Sequence, residues 1–203
     1  ARTAAKTAAK TAASVAAGLG GRLVMKIDSP RAVHKSDIGG VLLGVERDGA
    51  GAAFETLRSR LSPPLGSVAG ESVVIMPQID SGLELFVGAK RDDSFGVVVA
   101  CGLGGRLVEL FDRLALLVRP FDRDDIAGAL DACGILKALK GYRGGPAADL
   151  DAIFDLAMRV GDIAAGLGPR LEALDLNPVI VNTAYPGGVV VDARLILREG
   201  VPE

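Results

Sequence analysis

Lys26, His34, Lys35, Gly39 and Gly40 fall within one short polar stretch, Lys26-Ile27-Asp28-Ser29-Pro30-Arg31-Ala32-Val33-His34-Lys35-Ser36-Asp37-Ile38-Gly39-Gly40. Ammonium groups neutralise phosphate oxygens, glycines let backbone N–H groups approach an anion, and an imidazole serves as nucleophile or proton carrier near neutral pH. His34 is the single histidine of the chain. The stretch has the composition of a phosphate-handling loop. A solvated hairpin connection uses the same residue types, so support has to come from elsewhere in the chain.

A second constellation lies towards the end, in Leu174-Asp175-Leu176-Asn177-Pro178 and Val189-Val190-Val191-Asp192-Ala193-Arg194. In each a carboxylate interrupts an apolar run, where an unpaired charge is costly. Asp175 and Asn177 are two apart and share one face of a strand, and Asp192 on the following strand could come opposite them. Oxygen donors so grouped suit Mg²⁺, with water and phosphate oxygens completing the shell. A salt bridge to Arg194 would satisfy the same carboxylates, and spacing alone leaves both open. Glu84 shares a strand face with Phe86, a position equally suited to solvent. Gly102-Leu103-Gly104-Gly105 allows close approach to phosphate but lacks both the dinucleotide fingerprint and the P-loop ending. The acids of Arg123-Asp124-Asp125 open an apolar helical run and read as capping rather than metal binding.

The elements that must position these groups follow from periodicity and breakers. Alanine-rich residues 1–17 have high helix propensity. Residues 22–27 and 41–45 alternate as strands on either side of the polar loop, and Phe54, Leu57 and Leu61 recur at helical spacing over residues 50–61. Ser62-Pro63-Pro64-Leu65-Gly66-Ser67 breaks the pattern and predicts a lobe boundary. Residues 72–79, 83–89 and 96–100 read as a tight antiparallel meander. A strand near 114–118, helices near 124–132 and 148–165, and final strands near 174–181 and 188–193 complete an α/β chain, with residues 1–66 as one lobe and 67–203 as the other.

With 203 residues, 49% hydrophobic content and a net charge of −2, the chain can bury a sizeable core. It has no basic field to drive nucleic-acid binding, and 4% aromatics leave little for base stacking. Two cysteines outside any zinc spacing suit a reducing cytoplasm, and no apolar run is long enough to cross a bilayer. Neither nucleic acid nor membrane is expected as a partner.

Taken as an ordered set, these motifs carry a resemblance. Lys26-Ile27-Asp28-Ser29-Pro30, His34-Lys35-Ser36-Asp37-Ile38-Gly39-Gly40-Val41, Gly102-Leu103-Gly104-Gly105 with Val108-Glu109, Lys140-Gly141-Tyr142-Arg143-Gly144, Leu174-Asp175-Leu176-Asn177-Pro178 and Val191-Asp192-Ala193-Arg194 resemble the ATP-grasp domain of ADP-forming acyl-CoA synthetases, relatives of the succinyl-CoA synthetase beta subunit. The resemblance implies a two-lobed ATP-grasp fold that binds ATP or ADP with Mg²⁺ and passes phosphoryl through a phosphohistidine. It implies Lys26, Lys35, Gly39 and Gly40 at the nucleotide phosphates and His34 at the place of a second phosphohistidine. It further implies Met76, in the hinge 75–78, at the adenine edge, Glu84 near the nucleotide, and Asn177, Asp192 and, less closely matched, Asp175 as metal ligands.

Where the family carries a Lys-Asp pair and a later Arg, this chain has Asp112, Arg113 and Leu117, with Arg119 displaced. The family's leading helix and strand and its CoA-binding portion are expected to lie outside this sequence. The acyl-CoA reaction then requires a CoA-binding domain or subunit as partner, in an assembly that allows an oligomer. The alternative is a non-catalytic or regulatory ATP-grasp module of a fused protein, such as one joined to a lysine acetyltransferase.

Overall fold

Alternation builds the first sheet. In β2 (Leu23–Asp28) the odd positions Leu23, Met25 and Ile27 are fully buried, and in β4 (Ser72–Pro77) so are Val73 and Ile75. The computed structural model of the chain describes residues 2–5, 8–32, 35–61, 63–65, 71–79, 82–104, 114–141, 147–182, 185–198 and 200. These fall in two compact units, residues 1–79 and 80–203.

In the first unit β1 (Arg2–Ala5), β4, β2 and β3 (Val41–Val45) form an antiparallel sheet in the order β1-β4-β2-β3. Helices α1 (Ala8–Ala17) and α2 (Ala50–Arg58) supply Ala12, Ala16, Phe54 and Leu57 to the core that the buried strand positions complete. Period 2 sends Val24 and Lys26 to the opposite face, where the register sets Met76 beside Val24 and Val74 beside Lys26.

Two expectations are corrected here. The single opening helix is a strand followed by a helix, because residues 2–5 pair with β4, and tertiary pairing overrides alanine's helix preference. Residues 72–77 stand outside the meander, since β4 pairs with β2 and β1; the first unit therefore runs to Ile79 rather than ending at residue 66.

The second unit holds β5 (Leu83–Asp92), β6 (Gly96–Leu103), β7 (Leu114–Val118), β8 (Leu171–Asn182), β9 (Tyr185–Val190) and β10 (Ala193–Leu197). They pair antiparallel in the order β10-β8-β5-β6-β7, with β9 also on β8. Helices α3 (Arg123–Ala132), α4 (Ile135–Leu139) and α5 (Leu150–Leu167) cover one face, packing Ile126, Leu130, Ile153 and Ala157 on Val87, Val99 and Cys101. Burial in that core raises the Cys101 thiol to about 12, which keeps it protonated and unreactive.

Local chemistry closes the turns. The Asp92 carboxylate accepts from the N–H groups of Ser94 (2.9 Å) and Phe95 (3.0 Å), and these bonds hold it below its ordinary pKa. Asp122 caps α3 in a capping box with Asp125, which settles the acidic residues there as capping. The final strands number three rather than two, because Val191 and Asp192 interrupt the run that continues along β8 as β10. Among the described residues no helix is long and apolar enough to cross a membrane.

Candidate functional site

In the first unit the polar loop leaves β2 and returns as β3. Lys26 is half-buried on the face away from the helices, paired with Val41 on one side and Val74 on the other. The returning arm is a closed turn: Gly39 N–H donates to Ser36 O (3.0 Å), Gly40 N–H to Lys35 O (2.6 Å), and Ile27 N–H to Gly40 O (2.9 Å). Gly39 takes φ +64°, in the left-handed region, and a Cβ there would lie 3.4 Å from the Arg60 guanidinium carbon. At Gly40 a Cβ would come 2.8 Å from the Lys35 carbonyl oxygen. The glycines thus serve the turn's own geometry, and their amides point into it rather than outward as anion donors. His34 lies outside the described residues.

The departing arm is held by a buried carboxylate that the sequence reading missed. Glu71, just before β4, has no exposed side-chain surface; its Oε1 accepts from Ser29 Oγ (2.7 Å) and from Arg31 Nε (2.7 Å). Arg31 Nη1 and Nη2 both donate to Pro63 O (3.1 Å each), and Arg31 N–H donates to Ser29 Oγ (3.1 Å). The bond to Glu71 raises the Arg31 pKa further above its already high ordinary value. A charge two residues before the apolar run 73–76 was the available sequence signal.

Met76 stands in β4, half-buried on the face that carries Val24 and Lys26; the β1 pairing stops at Ile75, one residue short of it. Gln78 ends the segment 75–78, donating its N–H to Arg22 O (2.8 Å) and accepting from Gly44 N–H at Oε1 (2.6 Å).

In the second unit the strands do the positioning. Asp175 pairs with Gly88 on β5 and Arg194 on β10. A Cβ on Gly88 would meet Phe86 Cζ at 2.6 Å and Asp175 Oδ1 at 3.1 Å, so the missing side chain makes the space that the Asp175 carboxylate occupies. Partial burial raises the Asp175 pKa, and the charge of Arg194 opposes that rise. Asn177 N–H donates to Asp192 O (3.2 Å), which puts Asp192 against Asn177 just beyond the Leu176–Ala193 pair. The bond Asn177–Pro178 is cis. Glu84 is exposed at the start of β5, and its carbonyl accepts from Gly104 N–H (2.7 Å), a contact so close that a Cβ on Gly104 would lie 2.5 Å from the Leu85 carbonyl.

The oxygen set fits a small hard cation in kind. Among the described residues no group of three or more His, Cys, Asp and Glu could hold a metal ion, so Asn177 and ligand oxygens have to complete any shell around the carboxylates. Where the resemblance calls for an Arg on β7, Leu117 is a core residue, 5% exposed, and Arg119, just after the strand, is paired with Asp162 (2.6 Å). Leu116 and Val118, 63% and 44% exposed, occupy the strand's other face, while Arg113 lies outside the described residues.

The family model described as an ATP-grasp domain matches residues 1–197. The chain is 35% identical over 183 residues to the beta subunit of acetate–CoA ligase [ADP-forming] I of Pyrococcus furiosus, covering 88% of this chain and 76% of the subunit. Against acetate–CoA ligase [ADP-forming] I of Archaeoglobus fulgidus the identity is 36% over 183 residues, 90% of this chain but 26% of that protein, so the chain spans about a quarter of such fused relatives. A solved acetyl-coenzyme A synthetase 1 of Ca. Korarchaeum cryptofilum superposes with TM-score 0.74 at 33% identity, over 92% of this chain and 81% of that one. That protein was determined with coenzyme A and Mg-AMPPCP, its phosphohistidine segment pointing towards the nucleotide-binding site. The chain belongs to the ATP-grasp domain family, in the branch that includes the beta subunits of ADP-forming acetate–CoA ligases.

Proposed function

We propose that this chain is the nucleotide-binding part of an ADP-forming acyl-CoA synthetase and works in the cytoplasm with a CoA-binding domain or subunit. The observation that carries the reading is the register that brings Asp192 against Asn177, next to Asp175, on the strands where the resemblance calls for a metal–nucleotide site. Asn177, Asp192 and Asp175 would hold Mg²⁺ together with the phosphate oxygens. Bound there, the cation would neutralise charge on the polyphosphate. Lys26 and Lys35 would contact the phosphates, Met76 would border the adenine edge by its backbone, and Glu84 would stand near the nucleotide.

Phosphoryl transfer disperses negative charge over the moving group, so the protein's contribution is cations and an in-line acceptor. His34 would be that acceptor: an imidazole nitrogen attacks phosphorus as the bond to the nucleotide oxygen breaks, and the phosphoramidate later yields the group for acyl phosphate chemistry on the partner. In the reverse direction ADP takes it back. With the CoA-binding partner present, the chain should acquire acid-labile phosphate, and His34→Ala should abolish it; unchanged labelling would remove His34 from the relay.

One observation favours a second reading, a regulatory module that binds nucleotide without turnover. The face of β7 away from the helices presents Leu116 and Val118 rather than a cation. Nucleotide binding without any transferable label would select it.

A further inference from the structure

We propose that Glu71 is a positioning residue for the Lys35–Gly40 turn, acting through Ser29 and Arg31; this rests on the phosphate-loop reading above. One buried carboxylate ties three separate parts of the chain, residues 29–31, Pro63 and the entry to β4. Stability alone does not call for a carboxylate at this buried position, because apolar side chains of similar volume commonly replace buried ionic groups without loss. Direction is what it adds. Two donors meet a single oxygen, Ser29 Oγ turns back to accept from Arg31 N–H, and Ala32 N–H closes on Ser29 O (3.0 Å). The path by which the chain leaves β2 is thereby fixed as far as Ala32, itself buried.

From Ala32 to Lys35 is a span of three residues, at most roughly 11 Å of extended chain. The far side is fixed independently, by Gly40 N–H on Lys35 O and Ile27 N–H on Gly40 O. Lys35 is therefore bounded from both ends, and the end that side chains control is the one Glu71 holds. Releasing it lets Lys35 drift from the phosphates while the sheet beneath stays intact, and misplacement of a positioned group by about 1 Å costs up to a hundredfold in function.

The test is calorimetric titration of the chain with ADP and Mg²⁺, beginning with the unaltered protein; absence of binding there overturns the nucleotide reading and this proposal with it. Given binding, the double variant Glu71→Leu with Arg31→Met refills the site with apolar volume. It should melt at or above the parent temperature yet bind ADP about tenfold more weakly. Glu71→Gln, whose amide oxygen can accept both bonds, should recover most of the affinity. A stable double variant with parental ADP affinity overturns the proposal. Should that variant fail to fold, Ser29→Ala decides, because it removes one donor to Glu71 and the acceptor of Arg31 N–H; parental affinity in a folded Ser29→Ala protein is equally contradictory.

Discussion

The first unit carries Lys35 on a loop whose departing end is held by side chains from remote parts of the chain, whereas the second carries Asp175 and Asn177 on a strand whose backbone register does the holding. In the first, the decisive bonds are Ser29 Oγ and Arg31 Nε to a fully buried Glu71. In the second they are Asn177 N–H to Asp192 O and the pairing of Asp175 with Gly88. A loop can be tuned or released by a single side chain without disturbing the sheet. A strand position moves only if the pairing moves, so the second unit should tolerate loss of a polar group and resist changes of backbone space.

The largest effect is expected where that contrast is broken in the first unit. Arg31→Ala leaves the Glu71 carboxylate buried without its cation and should give the largest loss of stability of these variants in denaturant unfolding. Arg123 of α3 offers the matched control: it pairs with Asp151 (2.8 Å) and Asp155 in an exposed setting, and Arg123→Ala should cost no more than about 1 kcal/mol. Equal losses would erase the distinction between a buried clasp and a surface pair.

In the second unit the sensitive position is the one without a side chain. Gly88→Ala drives a methyl into Phe86 Cζ, Leu174 O and Asp175 Oδ1, at 2.6, 2.9 and 3.1 Å, and should cost about 1–3 kcal/mol. Mg²⁺-dependent ADP binding should fall with it, because Asp175 has to move. Wild-type binding in a stable Gly88→Ala protein would show that the carboxylate's place is not held by this space.

Asp175→Asn sharpens the contrast with a smaller effect of opposite sign on stability and binding. Burial raises the folded-state pKa of Asp175, so the folded chain binds a proton more tightly than the unfolded one. Stability from this group therefore falls as pH rises from the ordinary carboxylate value through the raised one. Asparagine removes that dependence and should melt slightly higher at neutral pH in the absence of metal, while Mg²⁺-dependent ADP binding weakens. A lower melting temperature at neutral pH would mean that Arg194 outweighs desolvation.

The difference between the units also explains what could be read in advance. That the Asp192 backbone would come against Asn177 was legible, because antiparallel pairing of the last strands is a local consequence of the turn between them, and Asn177 N–H does bond Asp192 O. The glycines at 39 and 40 were legible as a turn but not as one whose amides bond inward, since that depends on where Ser36 and Lys35 carbonyls end up. The charge at Glu71 was visible but its partners were not, because nothing in its neighbours says that Ser29, 42 residues away, will meet it. The place of β4 was misread for the same reason: short spacing to β5 suggested one meander, while partners far back in the chain, β1 and β2, set its sheet.

All of this converges on whether the chain binds a nucleotide through a divalent cation. Titration with ADP in the presence of Mg²⁺, read by heat and by melting temperature, tests that most directly. Saturable binding is predicted, and at ADP a hundredfold above its dissociation constant the folded state should gain about 2.7 kcal/mol. Binding that requires Mg²⁺ and weakens in Asp192→Ala would agree with the account. No heat and no thermal shift would contradict it.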